Sequence, residues 1–140
     1  MSYRHTADVV HDQDPVTLPP TATVQEACGR MRDRRVGAVL VTDGERRLVG
    51  IFTGRDACCR VLAESRDAAA TPLSEVMTPD PVTLSPGESV IDALRLMQRG
   101  GFRHVPVIDA GKVAGVVSRG DLTGIEIDRL DEENSLWEKI

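Results

Sequence analysis

The sequence predicts a mixed α/β (α+β) fold made of two pseudo-symmetric copies of one unit, each ordered strand, helix, strand, strand, helix. Three observations lead to it. The chain repeats itself: Asp14-Pro15-Val16-Thr17-Leu18 returns as Asp80-Pro81-Val82-Thr83-Leu84, and Pro20, Val24, Ala27, Met31, Val39, Val41 and Asp43 return as Pro86, Val90, Ala93, Met97, Val105, Val107 and Asp109. A repeat of this length sets architecture before any single element does. Within each copy an apolar helical period is followed by two short aliphatic runs separated by turn residues. Although 41% of the 140 residues are apolar, only Tyr3, Phe52, Phe102 and Trp137 are aromatic. The core is therefore built from Val, Leu, Ile, Ala and Met, which suits a buried α/β interior.

Each element follows from its residues. Ala7-Asp8-Val9-Val10-His11 aligns with Leu73-Ser74-Glu75-Val76-Met77, and both read as short helical lead-ins. The Asp-Pro-Val-Thr-Leu runs supply the first strands. Val24, Ala27, Cys28 and Met31 lie at i, i+3, i+4 and i+7, as do Val90, Ala93, Leu94 and Met97, which predicts an amphipathic helix in each copy. Thr23 with Glu26 and Ser89 with Asp92 have capping-box spacing. Ser85 with Glu88 has it too, but Ser85 matches Pro19 in the first copy, so Thr23 and Ser89 are the preferred caps. The second of these helices stops at Gly100-Gly101. The β-rich runs 36–42 and 48–52, and 102–108 and 113–117, form hairpins turned by Asp43-Gly44 and Ala110-Gly111. Further helices run from Asp56 to Ala63 and from Asp121 onward. Residues 7–63 are thus the first repeat with its lead-in, 64–72 a small, polar linker, 73–125 the second repeat, and 126–140 an acidic helical tail containing Trp137.

One residue is lost in the second hairpin turn, and beyond it Gly50 matches Gly115, Thr53 is replaced by Ser118 and Asp56 matches Asp121. Both motifs, Gly50 to Asp56 and Gly115 to Asp121, have the form Gly, two apolar residues, Thr or Ser, two variable residues, Asp. Each spans a strand end and a helix start, where free N–H groups and the positive end of a helix dipole suit a phosphate. The Asp offers two acceptor oxygens for the two hydroxyls of a ribose, and the Thr or Ser hydroxyl is a donor for a phosphate. A nucleoside phosphate fits that pairing. The same residues have helix-capping spacing, worth about 1 kcal/mol per cap, so a duplicated cap is the competing reading.

The duplicated element order, the Asp-Pro-Val-Thr-Leu starts, the segment Phe102-Arg103-His104-Val105-Pro106-Val107-Ile108-Asp109 and the two glycine-to-aspartate motifs resemble a CBS-domain pair, also called a Bateman module, over residues 7–125. The resemblance implies two repeats packed through their sheets, a homodimer, and clefts between the repeats that hold AMP, ADP, ATP, NAD or S-adenosylmethionine. By position it implies that Asp56 and Asp121 hold ribose hydroxyls and that Thr53 and Ser118 meet ribose or phosphate. Val16-Thr17 and Val82-Thr83 then flank the base through their backbone, and Arg103, His104 and Arg119 serve the phosphates. Ala38 and Pro106 complete the set of binding positions. The first copy departs from the pattern, because Ala38 occupies the position of His104 and Leu40 that of Pro106. Phosphate recognition there falls to Arg55 or to basic residues of the other repeat, and the cleft with Asp121, Arg103 and His104 is the stronger expectation.

Composition excludes several alternatives. A formal net charge of −5 argues against a broad electrostatic footprint for nucleic acid or an anionic membrane. No apolar run approaches the roughly 20 residues that span a bilayer, and Met1-Ser2-Tyr3-Arg4-His5 leads into no signal-like stretch, so a cytoplasmic location is expected. Cys28, Cys58 and Cys59 lack CxxC spacing and read as small apolar core residues in a reducing compartment. His5 and His11 have no metal-ligand spacing with any Cys. Arg30, Arg32, Arg34 and Arg35 decorate the solvated end of a helix. No GxSxG, GxxxxGK[ST] or HExxH motif occurs, so no catalytic residue and no metal is expected. The expected function is a non-catalytic sensor that binds an adenosyl ligand and signals to an effector protein on another chain. The alternative is a ligand-free dimeric scaffold in which Thr53, Asp56, Ser118 and Asp121 act only as caps.

Overall fold

The computed structural model describes residues 4–122 and 131. In chain order the elements are α1 (Thr6–Val10), β1 (Thr17–Leu18), α2 (Val24–Arg34), β2 (Ala38–Thr42), β3 (Leu48–Thr53) and α3 (Gly54–Asp56), which runs into a π-helical stretch, Ala57–Leu62. Then follow α4 (Leu73–Val76), β4 (Thr78–Pro79), α5 (Val90–Gly100), β5 (His104–Asp109), β6 (Lys112–Ser118) and a 3-10 turn, Arg119–Asp121. These elements form two compact units, one of residues 14–81 with 111–113, the other of residues 4–13, 82–110 and 114–122 among those described.

In the first unit a four-stranded sheet has the order β1-β2-β3-β4, with β1 parallel to β2 and the remaining pairs antiparallel. Ala38, Val39, Leu40 and Val41 are all buried, as a central strand covered on both faces requires. The predicted face of α2 buries Val24, Ala27 and Met31 against Val39, Val41, Phe52 and Val61. The Thr23 hydroxyl accepts the Glu26 N–H at 3.2 Å, as the cap assignment requires. Residues 64–72, read as a linker, have a structural task. The carbonyls of Thr71 and Ala68 accept the N–H groups of Val24 and Gln25, each at 3.0 Å, satisfying donors that the start of α2 otherwise leaves orphaned. Thr71 is buried and its hydroxyl donates to the Asp67 carbonyl at 2.7 Å.

The second unit repeats the plan with one loss. The strand expected at 80–84 is reduced to a single parallel bridge, Leu84 to Val107, because Asp80 adopts a left-handed φ of 45° and breaks the extended run. Leu84 still donates to Pro106 at 3.0 Å and accepts from Ile108 at 2.8 Å. Ser89 caps α5 by accepting the Ile91 N–H at 3.1 Å, while the Glu88 carboxylate caps the Ser85 N–H at 2.9 Å in the turn before it. Val90, Ile91, Leu94 and Met97 close a core with Val105, Val107, Val117 and Val10. The helix expected from Asp121 onward is a 3-10 turn at Arg119–Asp121; its continuation and the acidic tail lie outside the described residues.

The grouping in space crosses the order in the chain. Lead-in α4 joins the unit of the first repeat, where Leu73 donates to Ala22 at 2.8 Å and is buried with Val76. Lead-in α1 joins the unit of the second repeat, where Thr6 donates through its N–H to Glu88 at 2.8 Å and through its hydroxyl to Ser85 at 2.6 Å. Both hairpin turns form. Ala110 and Gly111 are both left-handed, with φ of 51° and 81°, the requirement of a two-residue I′ turn. In the other hairpin the left-handed residue is Arg46 rather than Gly44. There the Asp43 carboxylate accepts the N–H groups of Glu45 and Arg47 at 2.8 and 3.0 Å, which holds it below its ordinary pKa.

The cysteine expectation needs correction. Cys58 and Cys59 are exposed and only Cys28 is partly buried, because the π-helical turns after Asp56 bury Val61 alone among their residues. Burial, reinforced by Cys58, raises the Cys28 thiol above its usual pKa, which keeps it a poor nucleophile.

Candidate functional site

The positions singled out in the sequence form one cluster in each unit, at the end of the sheet where the first two strands begin and the hairpin's second strand ends. In the first unit Leu40 donates to Val16 at 2.9 Å, Thr17 faces Leu40 in register and Ala38 faces Thr53. Gly54 donates to Gly37 at 3.3 Å, so Thr53, Arg55 and Asp56 leave the sheet beside the start of β2. In the second unit Arg119 donates to Arg103 at 2.9 Å, which places Ser118, Arg119 and Asp121 beside Arg103 and His104. Val82 and Thr83 enter the Leu84 bridge there. Val16 is 5% exposed and Val82 49%, so the base-flanking segments differ: one is core, the other surface. Pro106 and Leu40 are buried within their strands, and the Pro106 carbonyl is spent on Leu84. Arg55 and Arg103 are exposed, and Arg119 is half-buried.

The motif glycines are explained by packing. A Cβ at Gly115 would stand 2.6 Å from the Gln13 side-chain oxygen and 2.7 Å from Val10. At Gly50 it would stand 2.5 Å from the Met77 sulfur and 3.0 Å from the Thr78 carbonyl. Both glycines therefore admit the chain that follows a lead-in helix, a close approach only a residue without Cβ allows.

Both motifs close as reciprocal caps. Oδ2 of Asp56 accepts the Thr53 N–H at 3.0 Å and its hydroxyl at 3.2 Å. Oδ2 of Asp121 accepts the Ser118 N–H at 2.7 Å and its hydroxyl at 3.0 Å. The second oxygens differ. Oδ1 of Asp56 faces the Thr78 hydroxyl at 3.4 Å and the Arg60 Nε at 3.6 Å, and the residue is 8% exposed. Oδ1 of Asp121 has no hydrogen-bond partner among the described residues, and Asp121 is half-buried. Its own carbonyl accepts from Arg4 at 2.8 Å.

His104 stands at the start of β5, and burial together with the Arg103 charge depresses its pKa against an opposing pull from Asp121. The imidazole is consequently neutral near pH 7, a hydrogen-bonding group rather than a fixed cation. The second cluster thus offers a carboxylate oxygen that accepts hydroxyls, a neutral imidazole and two arginines. Arg60, Thr78 and Arg4 did not emerge from sequence reading. Arg60 follows Asp56 at helical i+4 spacing, a readable signal, whereas Thr78 and Arg4 reach their aspartates across the chain. Among the described residues no group of three His, Cys, Asp or Glu side chains is placed to hold a metal, and no helix is long and apolar enough to cross a membrane.

A family model described as CBS domain matches residues 7–62 and 73–127. The CBS domain-containing protein CBSCBSPB1 of Arabidopsis thaliana is 40% identical over 102 residues, 73% of this chain but only 19% of that protein's length. The CBS domain-containing protein YhcV of Bacillus subtilis is 39% identical over 106 residues, 76% of this chain and 74% of its own. The solved structure of a CBS domain protein from Pyrobaculum aerophilum in complex with AMP superposes with a TM-score of 0.81 at 28% identity, covering 91% of this chain and 98% of that one.

Proposed function

The chain belongs to the CBS-domain family, of which it carries two repeats, and from that premise we propose that it is a non-catalytic regulatory module that binds an adenine nucleotide or a related adenosyl ligand and signals to a partner protein. The observation that carries the reading is the Asp121 carboxylate. Its Oδ2 is locked by Ser118, so the group is preoriented, and its Oδ1, which has no hydrogen-bond partner among the described residues, would accept a ribose hydroxyl beside Arg103, His104 and Arg119. The AMP held by the Pyrobaculum aerophilum relative supports the ligand class. AMP, ADP, ATP, NAD and S-adenosylmethionine share the ribose that Asp121 would hold, and the phosphate-bearing ones also suit the arginines. The module acts in the cytoplasm, as a homodimer, on a partner protein.

A thermal-shift panel with these five compounds and a GTP control tests the reading. Saturation at about 100 times Kd adds about 2.7 kcal/mol, a rise of some 5–10 °C for a chain of this size. A selective rise that disappears in Asp121→Ala supports the sensor. The two completed caps favour a second reading, a ligand-free interaction module, and it prevails if no adenosyl compound moves the transition at millimolar concentration.

A further inference from the structure

Resting on the adenosyl reading above, we infer that occupancy is confined to the Asp121 motif, and that Arg60 closes the Asp56 motif by standing in for the ligand at its carboxylate. A ribose diol held by one carboxylate needs acceptor capacity on an accessible oxygen. In both motifs Oδ2 is consumed by the cap. At Asp56 the remaining oxygen is consumed as well: the Thr78 hydroxyl donates to it at 3.4 Å, and the Arg60 guanidinium pairs with it at 3.6 Å. Arg60 is itself anchored, because its guanidinium donates to the Met77 carbonyl at 2.9 Å. Thr78 is held by the pairing of β4 with β3.

The corresponding positions of the other copy carry neither group. Asp121 is followed four residues later by Ile125, where Asp56 is followed by Arg60. The lead-in alignment sets Asp12 opposite Thr78, and the Asp12 carboxylate is exposed and engaged with His11 at 2.8 Å. A carboxylate already engaged by its own chain offers a ligand a smaller net gain, since a new bond there competes with the Thr78 hydroxyl and the Arg60 ion pair. The inequality of the two motifs is therefore built into Arg60 and Thr78 and does not depend on the phosphate-binding positions.

Isothermal titration of the full chain with AMP, and separately with S-adenosylmethionine, tests this, with the thermal transition of every variant measured as a folding control. The expected stoichiometry is one ligand per chain. Asp121→Asn weakens binding about tenfold or more, Asp56→Asn leaves it unchanged, and Arg60→Ala with Thr78→Val admits a second equivalent. Arg60→Met keeps the aliphatic stem and serves if the alanine variant unfolds. Two equivalents on the unaltered chain, loss of binding in Asp56→Asn, or a single equivalent on the opened variants each overturn the inference while the adenosyl reading stands. No heat from either probe with the unaltered and the opened chains overturns the reading and this inference together.

Discussion

The side chain of Gln13 pairs with the backbone of Val116 at both of its polar groups, donating to the carbonyl at 2.9 Å and accepting from the N–H at 2.9 Å. In the other unit the equivalent place is filled by true strand pairing, Ile51 against Thr78 and Gly50 against Pro79. One amide side chain thus replaces a short strand, because an amide carries the same donor and acceptor as a peptide unit.

That substitution predicts a stability cost. Gln13→Leu leaves an N–H and a carbonyl of a part-buried strand unpaired, a loss of about 1–3 kcal/mol, read by urea unfolding. Gln13→Glu keeps the acceptor alone and falls between.

The glycines divide by what surrounds them. Gly115→Ala drives a Cβ against Gln13 and Val10 and costs about 1–3 kcal/mol by overpacking. Gly44 has nothing near its missing Cβ and does not carry the left-handed turn residue, so Gly44→Ala stays within about 0.5 kcal/mol. Equal losses at the two sites in chemical denaturation would refute the close-approach explanation.

The two aspartates contribute unequally to stability. Asp121→Ala removes one cap, about 1 kcal/mol. Asp56→Ala removes a cap together with the Thr78 hydrogen bond and the Arg60 ion pair, about 2 kcal/mol in all. The order of the two thermal midpoints, with Asp56→Ala the lower, is the outcome to check.

His104 makes stability fall with acid. Its folded pKa lies below the ordinary 6.5, so on acidification the unfolded chain takes up the proton first. The contribution is complete above the unfolded pKa and is lost as pH falls through the folded one. His104→Asn therefore flattens the decline of the melting temperature as pH falls through and below the ordinary imidazole range, and Arg103→Ala moves the imidazole titration, followed by NMR, upward.

Much of this was legible in the residues. The caps Thr23 and Ser89, the buried faces of α2 and α5 and both hairpins sit where spacing predicts them, because each is decided within a few residues of chain. The first strand of the second copy was overread. Its residues match the first copy, yet the backbone reversal at Asp80 leaves Val82 and Thr83 on the surface. Cys58 and Cys59 were misread for a different reason: residue type alone placed them in the core, whereas the stretch Ala57–Leu62 buries only Val61.

The sequence by itself determined the duplication, the helix and hairpin elements, and the two motifs ending in Asp56 and Asp121, since repetition and local periodicity survive without any knowledge of packing. Only the tertiary structure decided which unit each lead-in joins, that the linker caps α2, and that the two aspartates are unequal. Those outcomes depend on partners far apart in the chain, Thr78 lying 22 residues from Asp56 and Gln13 lying 103 from Val116, and no local pattern records which distant group the folded chain brings within hydrogen-bonding distance.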